Sequence, residues 1–283
     1  MAQIETIGHQ IAKIIKGYTA DYIEVHLEES QTSHITYRGK ELESIDRSTA
    51  IGGNARALVK GGWGFVCFNN LTELPDRVEL AVNQAQLVGH EESKLALTEP
   101  VVDSITTDAN RNPLTIPLSV KKQLLDEYND IIWRTPRIQT SIINYGDNHR
   151  KKVFLNSLGS YIEQENTNIT LRLAAIATND SEVQQAGLSL GSNGDFSAIQ
   201  NIHQQVEQMA QLAVELLSAP QVKGGEYTVV LDPVLAGVFV HEAFGHLSEA
   251  DFVYENDRVR EIMTLGKEFG SAGLNIVDSA AIP

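Results

Sequence analysis

The sequence holds 283 residues, 42% of them hydrophobic and 21% charged, with 37 acidic side chains against 22 basic ones. That length and composition exclude a wholly disordered or fibrous chain and suffice for about two domains with real cores. A formal net charge of -15 argues against a general binder of phosphate backbones, which needs clustered lysine and arginine.

The N-terminal residues carry no basic region followed by an apolar block, so they do not read as a signal peptide. Ile4, Ile7, Ile11, Ile14 and Ile15 recur at helical spacing and predict an amphipathic helix. Tyr22 to Glu28 then alternates polar and apolar residues, the two-residue period of a half-buried strand. Ile35 to Arg38, Glu41 to Asp46 and Ala55 to Lys60 read as three further short strands, separated by Gly39-Lys40 and Gly52-Gly53. Gly61-Gly62 predicts a turn before a strand from Trp63 to Phe68, and Pro75 opens a helix with Val78, Ala81, Ala85 and Val88 on its apolar face. Residues 91–117 are polar and aperiodic, with Pro100, Pro113 and Pro117, and read as a linker.

Ser119 is placed to cap a helix whose stripe is Val120, Leu124, Tyr128 and Ile131/Ile132. Four β-rich stretches follow, 138–145, 151–155, 161–177 and 182–190, with a turn at Asn156-Ser157-Leu158-Gly159. A helix over 199–217 closes this part, with Ile202, Val206, Met209, Leu212/Ala213 and Leu216 on one face. Tyr227 to Leu231 is expected as a strand. Asp232-Pro233 then supplies a favoured N-cap and first helical residue, and the apolar run to Val240 predicts a buried helix.

The chemistry-bearing stretch is His241-Glu242-Ala243-Phe244-Gly245-His246, followed by Glu249 and Asp251. Two imidazoles beside a carboxylate on an apolar helix resemble H-E-x-x-H, where two histidines one turn apart hold zinc and the glutamate activates water. Here the second histidine comes one residue later. At about 100° per residue, five residues leave the rings about 140° apart on a regular α-helix, against about 40° for four. A shared ion therefore requires a widened, π-type turn between His241 and His246, which Gly245 is expected to ease. The bland alternative is two histidines near a helix C-terminus, where the dipole favours imidazolium. Glu249 is a candidate to orient a histidine from behind; Asp251 fits a solvated helix end better.

The string from Leu231-Asp232-Pro233 through Ala236-Gly237, His241-Glu242-Ala243 and Gly245-His246 to Glu249-Ala250-Asp251 resembles the TldD/PmbA family of zinc metalloproteases, formerly described as modulators of DNA gyrase. Gly61-Gly62-Trp63-Gly64-Phe65 and Asn156-Ser157-Leu158-Gly159 match family landmarks, so the resemblance covers the whole chain. It is closest to the TldD branch, since the PmbA-like partner generally lacks the H-E-x-x-x-H ligands.

The resemblance implies an α+β fold with mixed or antiparallel sheets and packed helices. It divides the chain into an N-terminal domain at 1–103, a middle domain at 116–221, and the start of a β-rich catalytic domain at 226–283. It also implies a zinc-dependent peptidase acting on unfolded or flexible peptides, with His241 and His246 as Zn2+ ligands and Glu242 as catalytic general base. The partners it implies are a peptide substrate and a second subunit, in a homodimer or a heterodimer with a PmbA-like chain. The competing reading is a non-catalytic partner or regulatory subunit of such a complex.

Family members are longer and place a third ligand, a cysteine, in the C-terminal half, whereas this sequence stops at Ala281-Ile282-Pro283. The expectation is a fragment with two of three zinc ligands, inactive or weakly metal-binding by itself.

Cys67, the lone cysteine, is expected as a buried small hydrophobe rather than a ligand, and its solitude fits a reducing compartment. No apolar run approaches the about 18 residues of a membrane span, so a cytoplasmic protein without membrane or nucleic-acid partners is expected. The six other histidines, at 9, 26, 34, 90, 149 and 203, are scattered; His26 and His34 are expected on neighbouring strands. Residues 187–194 read as a glycine-rich loop without a phosphate-binding motif. Arg150-Lys151-Lys152 reads as a solvated strand edge, and Trp63 as a core or interface aromatic.

Overall fold

A computed structural model describes residues 2–90, 95–106 and 113–279; residue 1, parts of the expected linker (91–94 and 107–112), the side chains of residues 2–5, Ile4 among them, and residues 280–283 lie outside the described residues. Contacts divide the chain into two compact units, Met1–Pro220 and Gln221–Pro283.

The first unit contains α1 (Ala2–Ile14), β1 (Tyr22–Arg38), β2 (Glu41–Val59), β3 (Gly62–Phe68), α2 (Leu74–Val88), β4 (Val102–Thr106), α3 (Leu118–Arg134), β5 (Ile138–Asn156), β6 (Tyr161–Thr178), β7 (Val183–Ser192) and α4 (His203–Leu216). Its seven strands form one sheet in the order β3-β2-β1-β5-β6-β4, with β7 also paired to β6. All pairings are antiparallel except β4 with β6. The expected α+β class is what forms.

Several expected short strands merge into long ones. Gly52 and Gly53 do not end a strand: a side chain on Gly53 would place Cβ 2.2 Å from the His26 carbonyl oxygen, so glycine there lets β1 and β2 approach. The consequence is that His26 and His34 share one strand, eight residues apart, and do not meet across two. Residues 187–191 belong to β7 and not to a loop, and Arg150 to Lys152 lie within β5, an interior strand and not an edge. β4, within the expected linker, adds a fully exposed strand.

Odd-numbered β1 residues point to one face and build two cores on it. Ile23, Val25 and Leu27 pack with Ile11, Ile15 and the α2 residues Leu74, Val78, Ala81 and Ala85. Ile35 and Tyr37 pack with Leu125, Tyr128 and Ile132 of α3 and Val206, Met209 and Ala213 of α4. Each such fully buried aliphatic side chain contributes about 1.5–3 kcal/mol. Gly62 and Gly64 turn toward α2, and a Cβ on Gly64 would stand 1.8 Å from the Ala81 carbonyl oxygen. Period-two alternation then puts Trp63, Phe65 and Cys67 on the opposite face. Cys67 is therefore exposed, not buried as expected.

Helix faces shift in detail. Ser119 does not cap α3; Pro117 occupies the N-cap, and the buried stripe is Lys121, Leu125, Tyr128, Asn129 and Ile132, leaving Val120 exposed. α4 begins at His203, behind a short 3-10 turn at Phe196–Ile199 whose cap is Asp195. The expected turn at 156–159 forms, with Asn156 Oδ1 accepting from the amides of Leu158 (3.1 Å) and Ser160 (2.9 Å) and Gly159 at φ 108.

The second unit holds α5 (Pro233–Val240), a π-helical turn at His241–Gly245, a 3-10 turn at His246–Ser248, α6 (Ala250–Glu255) and α7 (Asp257–Ile262). Its described residues hold no strand, so Tyr227 to Leu231 is not the strand its composition suggests. α5 starts as expected: Asp232 Oδ1 accepts from the Leu235 amide at 2.9 Å, and Pro233 follows. It is not buried, however; Val234 is 78% and Phe239 61% exposed. Within this unit these short helices have no sheet to pack on. Among the described residues no helix is long and apolar enough to cross a membrane.

Candidate metal centre

The chain enters the centre through α5, whose capped start fixes the helix axis before the two histidines arrive. At His241 the helix widens. The His246 amide donates to the His241 carbonyl, five residues back, and residues 241–245 form a π turn. The extra residue takes up the 100° that five-residue spacing would otherwise introduce. The His241 and His246 rings consequently lie 4.5 Å apart between centroids, at 67° to each other.

Gly245 contributes less than its type suggests. Its backbone sits at φ -56, ψ -52, ordinary right-handed helix, and a Cβ there would meet His241 Nδ1 at 3.6 Å, normal van der Waals contact. A further bond lies at the end of the turn. Ser248 Oγ donates to the Gly245 carbonyl at 2.8 Å, a side-chain bond added to the 3-10 turn that follows. Sequence reading missed Ser248, although a serine three residues after a glycine at a helix end is a recognisable local hydrogen-bonding pattern.

One donor atom from each of His241, Glu242 and His246 lies within 4.8 Å of the others, and all three residues are exposed. Glu242 Oε2 stands 3.7 Å from His246 Nε2. On its other side His246 donates from Nδ1 to Glu249 Oε1 at 2.6 Å. That bond, followed by the charges of Glu249 and Glu242, holds the His246 imidazolium above its ordinary range despite some desolvation. It also fixes ring orientation and leaves Nε2 facing Glu242 and His241. Glu249 thus stands directly behind His246. Asp251, by contrast, accepts only from the adjacent Phe252 amide, at 3.0 Å.

Imidazole and carboxylate donors at a common point suit zinc and related divalent ions. Zinc ligand atoms sit about 2.0–2.3 Å from the ion, so donors within 4.8 Å of one another need only small rotamer movements to converge. Cys67 lies in the first unit, on β3.

Comparison with known proteins gives a consistent result. Models of three PmbA/TldA metallopeptidase domains match: domain 1 over residues 23–85, the central domain over 111–218 and the C-terminal domain over 224–283. The metalloprotease slr0863 of Synechocystis is 39% identical over 284 residues, covering 99% of this chain and 61% of the relative. A Methanothermobacter thermautotrophicus metalloprotease is 30% identical over 267 residues, covering 93% and 58%. The chain therefore spans about three fifths of the length of the relatives it matches.

Two solved structures share the fold at low identity. A protein described as a modulator of DNA gyrase, from Bacteroides thetaiotaomicron, superposes with a TM-score of 0.67 at 13% identity, over 87% of this chain and 57% of that one. TldE from Thermococcus kodakarensis gives 0.55 at 15% identity, over 75% and 46%.

Proposed function

The chain belongs to the PmbA/TldD metallopeptidase family, and from that premise we propose that it carries the zinc-binding part of a peptide-hydrolysing site. The observation that carries the reading is the π turn, which brings His241 and His246 to one face beside Glu242. In this reading His246 binds zinc through Nε2, because Nδ1 is engaged with Glu249, and His241 supplies the second nitrogen.

Zinc, when bound, supplies Lewis acidity that polarises a peptide carbonyl and lowers the pKa of water. Glu242 is the general base: its carboxylate takes the proton of the attacking water and returns it to the departing amine. Glu249 keeps the His246 ring oriented and its outer nitrogen protonated. The substrates proposed are unfolded or flexible peptides, in keeping with the family.

The test has two readouts. Zinc titration of the protein is expected to lose its weak site in His241→Ala and in His246→Ala but not in Glu242→Gln, while in a protein of the relatives' full length Glu242→Gln is expected to keep the metal and lose peptide hydrolysis. Zinc binding unchanged after both histidines are replaced overturns the ligand assignment. Hydrolysis retained by Glu242→Gln overturns the base.

A further inference from the structure

The helices of the first unit pack on the odd-numbered face of β1; the even-numbered face carries a groove that the metal centre does not explain. Along β5 and β6 the facing pairs on that side are Phe154 with Ile162, Lys152 with Gln164, Arg150 with Asn166 and Asn148 with Asn168. Two cavities lie along this row, of about 440 Å³ around Phe154, Ile162 and His26, and about 200 Å³ around Arg150, Asn166 and Asn168. Both are lined by Lys152 and Gln164, so they form one groove with an apolar end and a cationic, carboxamide-rich end.

The groove is lined by two cations, Arg150 and Lys152, and two carboxylates, Glu28 and Glu165. Arg150 faces Glu28 at 3.4 Å, which offsets one positive charge. Lys152 makes no ion pair among the described residues, although Glu28 stands opposite it across β1 and β5. Glu165 lines the smaller cavity and stands 3.0 Å from His149 Nε2. An ammonium and a guanidinium spaced two residues apart on one strand face suit a carboxylate. The ladder of Gln164, Asn166 and Asn168 offers donors and acceptors matched to a peptide backbone.

We propose that this groove binds the C-terminal end of an extended peptide, with the free carboxylate at Lys152 and Arg150 and an apolar side chain against Phe154 and Ile162. The choice of a peptide rests on the function proposed above; the anion site itself rests on the groove. The experiment needs neither zinc nor hydrolysis, so its failure is distinct from failure of the metal centre.

Binding of N-terminally labelled alanyl-alanyl-phenylalanine to the metal-free protein is measured by fluorescence anisotropy, as the free acid and as the C-terminal amide. The acid is expected to bind about tenfold tighter or more. Lys152→Gln, an exposed substitution, is expected to remove most of that preference. Phe154→Ala is expected to weaken both forms while keeping their ratio. Equal binding of acid and amide overturns the proposal, as does a preference unchanged by Lys152→Gln together with Arg150→Gln. Full competition by inorganic phosphate with no contribution from Phe154 also overturns it, by showing a general anion site.

Discussion

The most demanding test of the first unit is its buried ion pair. Lys121 of α3 and Asp147 of β5 have fully buried side chains, with Nζ 2.5 Å from Oδ2. The Tyr145 hydroxyl donates to the same carboxylate oxygen at 2.5 Å, while Oδ1 has no hydrogen-bond partner. Burial pushes the Lys121 ammonium below its usual range, and the hydrogen bond and charge of Asp147 pull against that shift. Lys121→Met removes the cation and leaves a buried carboxylate with one hydrogen bond. The expected cost is about 3–5 kcal/mol, a large part of the about 5–15 kcal/mol that holds a domain folded. Urea unfolding followed by circular dichroism reads this as a lower midpoint. Replacing the whole polar group, with Lys121→Met, Asp147→Leu and Tyr145→Phe together, is expected to recover most of the loss, because no charge or hydroxyl then stays buried without a partner. A single Lys121→Met costing under about 1 kcal/mol, or a triple variant weaker than the single, would refute the reasoning.

Three further outcomes are expected. Gly64→Ala forces a methyl into the Ala81 carbonyl and should cost about 1–3 kcal/mol in thermal melting, whereas Gly245→Ala, with its nearest contact at 3.6 Å, should be nearly neutral. Glu24, bonded to His26 and Tyr22 and paired with Arg56, has its carboxyl held below the usual range. Its stabilisation is therefore present above the unfolded carboxylate value of about 4.5 and lost as pH falls through the lower folded value, so Glu24→Gln should flatten stability against pH in that acid window. Finally, Glu249→Ala should weaken zinc about 10–100-fold in a competition titration with a chelating dye, while Asp251→Ala should leave it unchanged.

The local geometry around His241 and His246 was legible in the sequence because its determinants are local. Five-residue spacing between His241 and His246 permits a shared face only if the helix widens, and the π turn at 241–245 is that widening. Likewise Asp232-Pro233 specified the helix start, and Asn156 to Gly159 the hairpin. Glu249, three residues beyond His246, falls within reach by helix geometry alone.

What the sequence by itself determined is this set of short-range relations and the α+β class. What only the tertiary structure decided depends on partners distant in the chain. Gly52-Gly53 looks like a break until β1 lies against it, and Cys67 looks buried until Gly64 claims the face toward α2. Lys121 is fully buried against Asp147, 26 residues away in the chain. The reason is physical: hydrogen-bond reach and helical pitch are set by the local backbone, whereas burial is set by whichever remote surface arrives. A run of residues carries its own spacing but not the identity of its neighbours across the sheet.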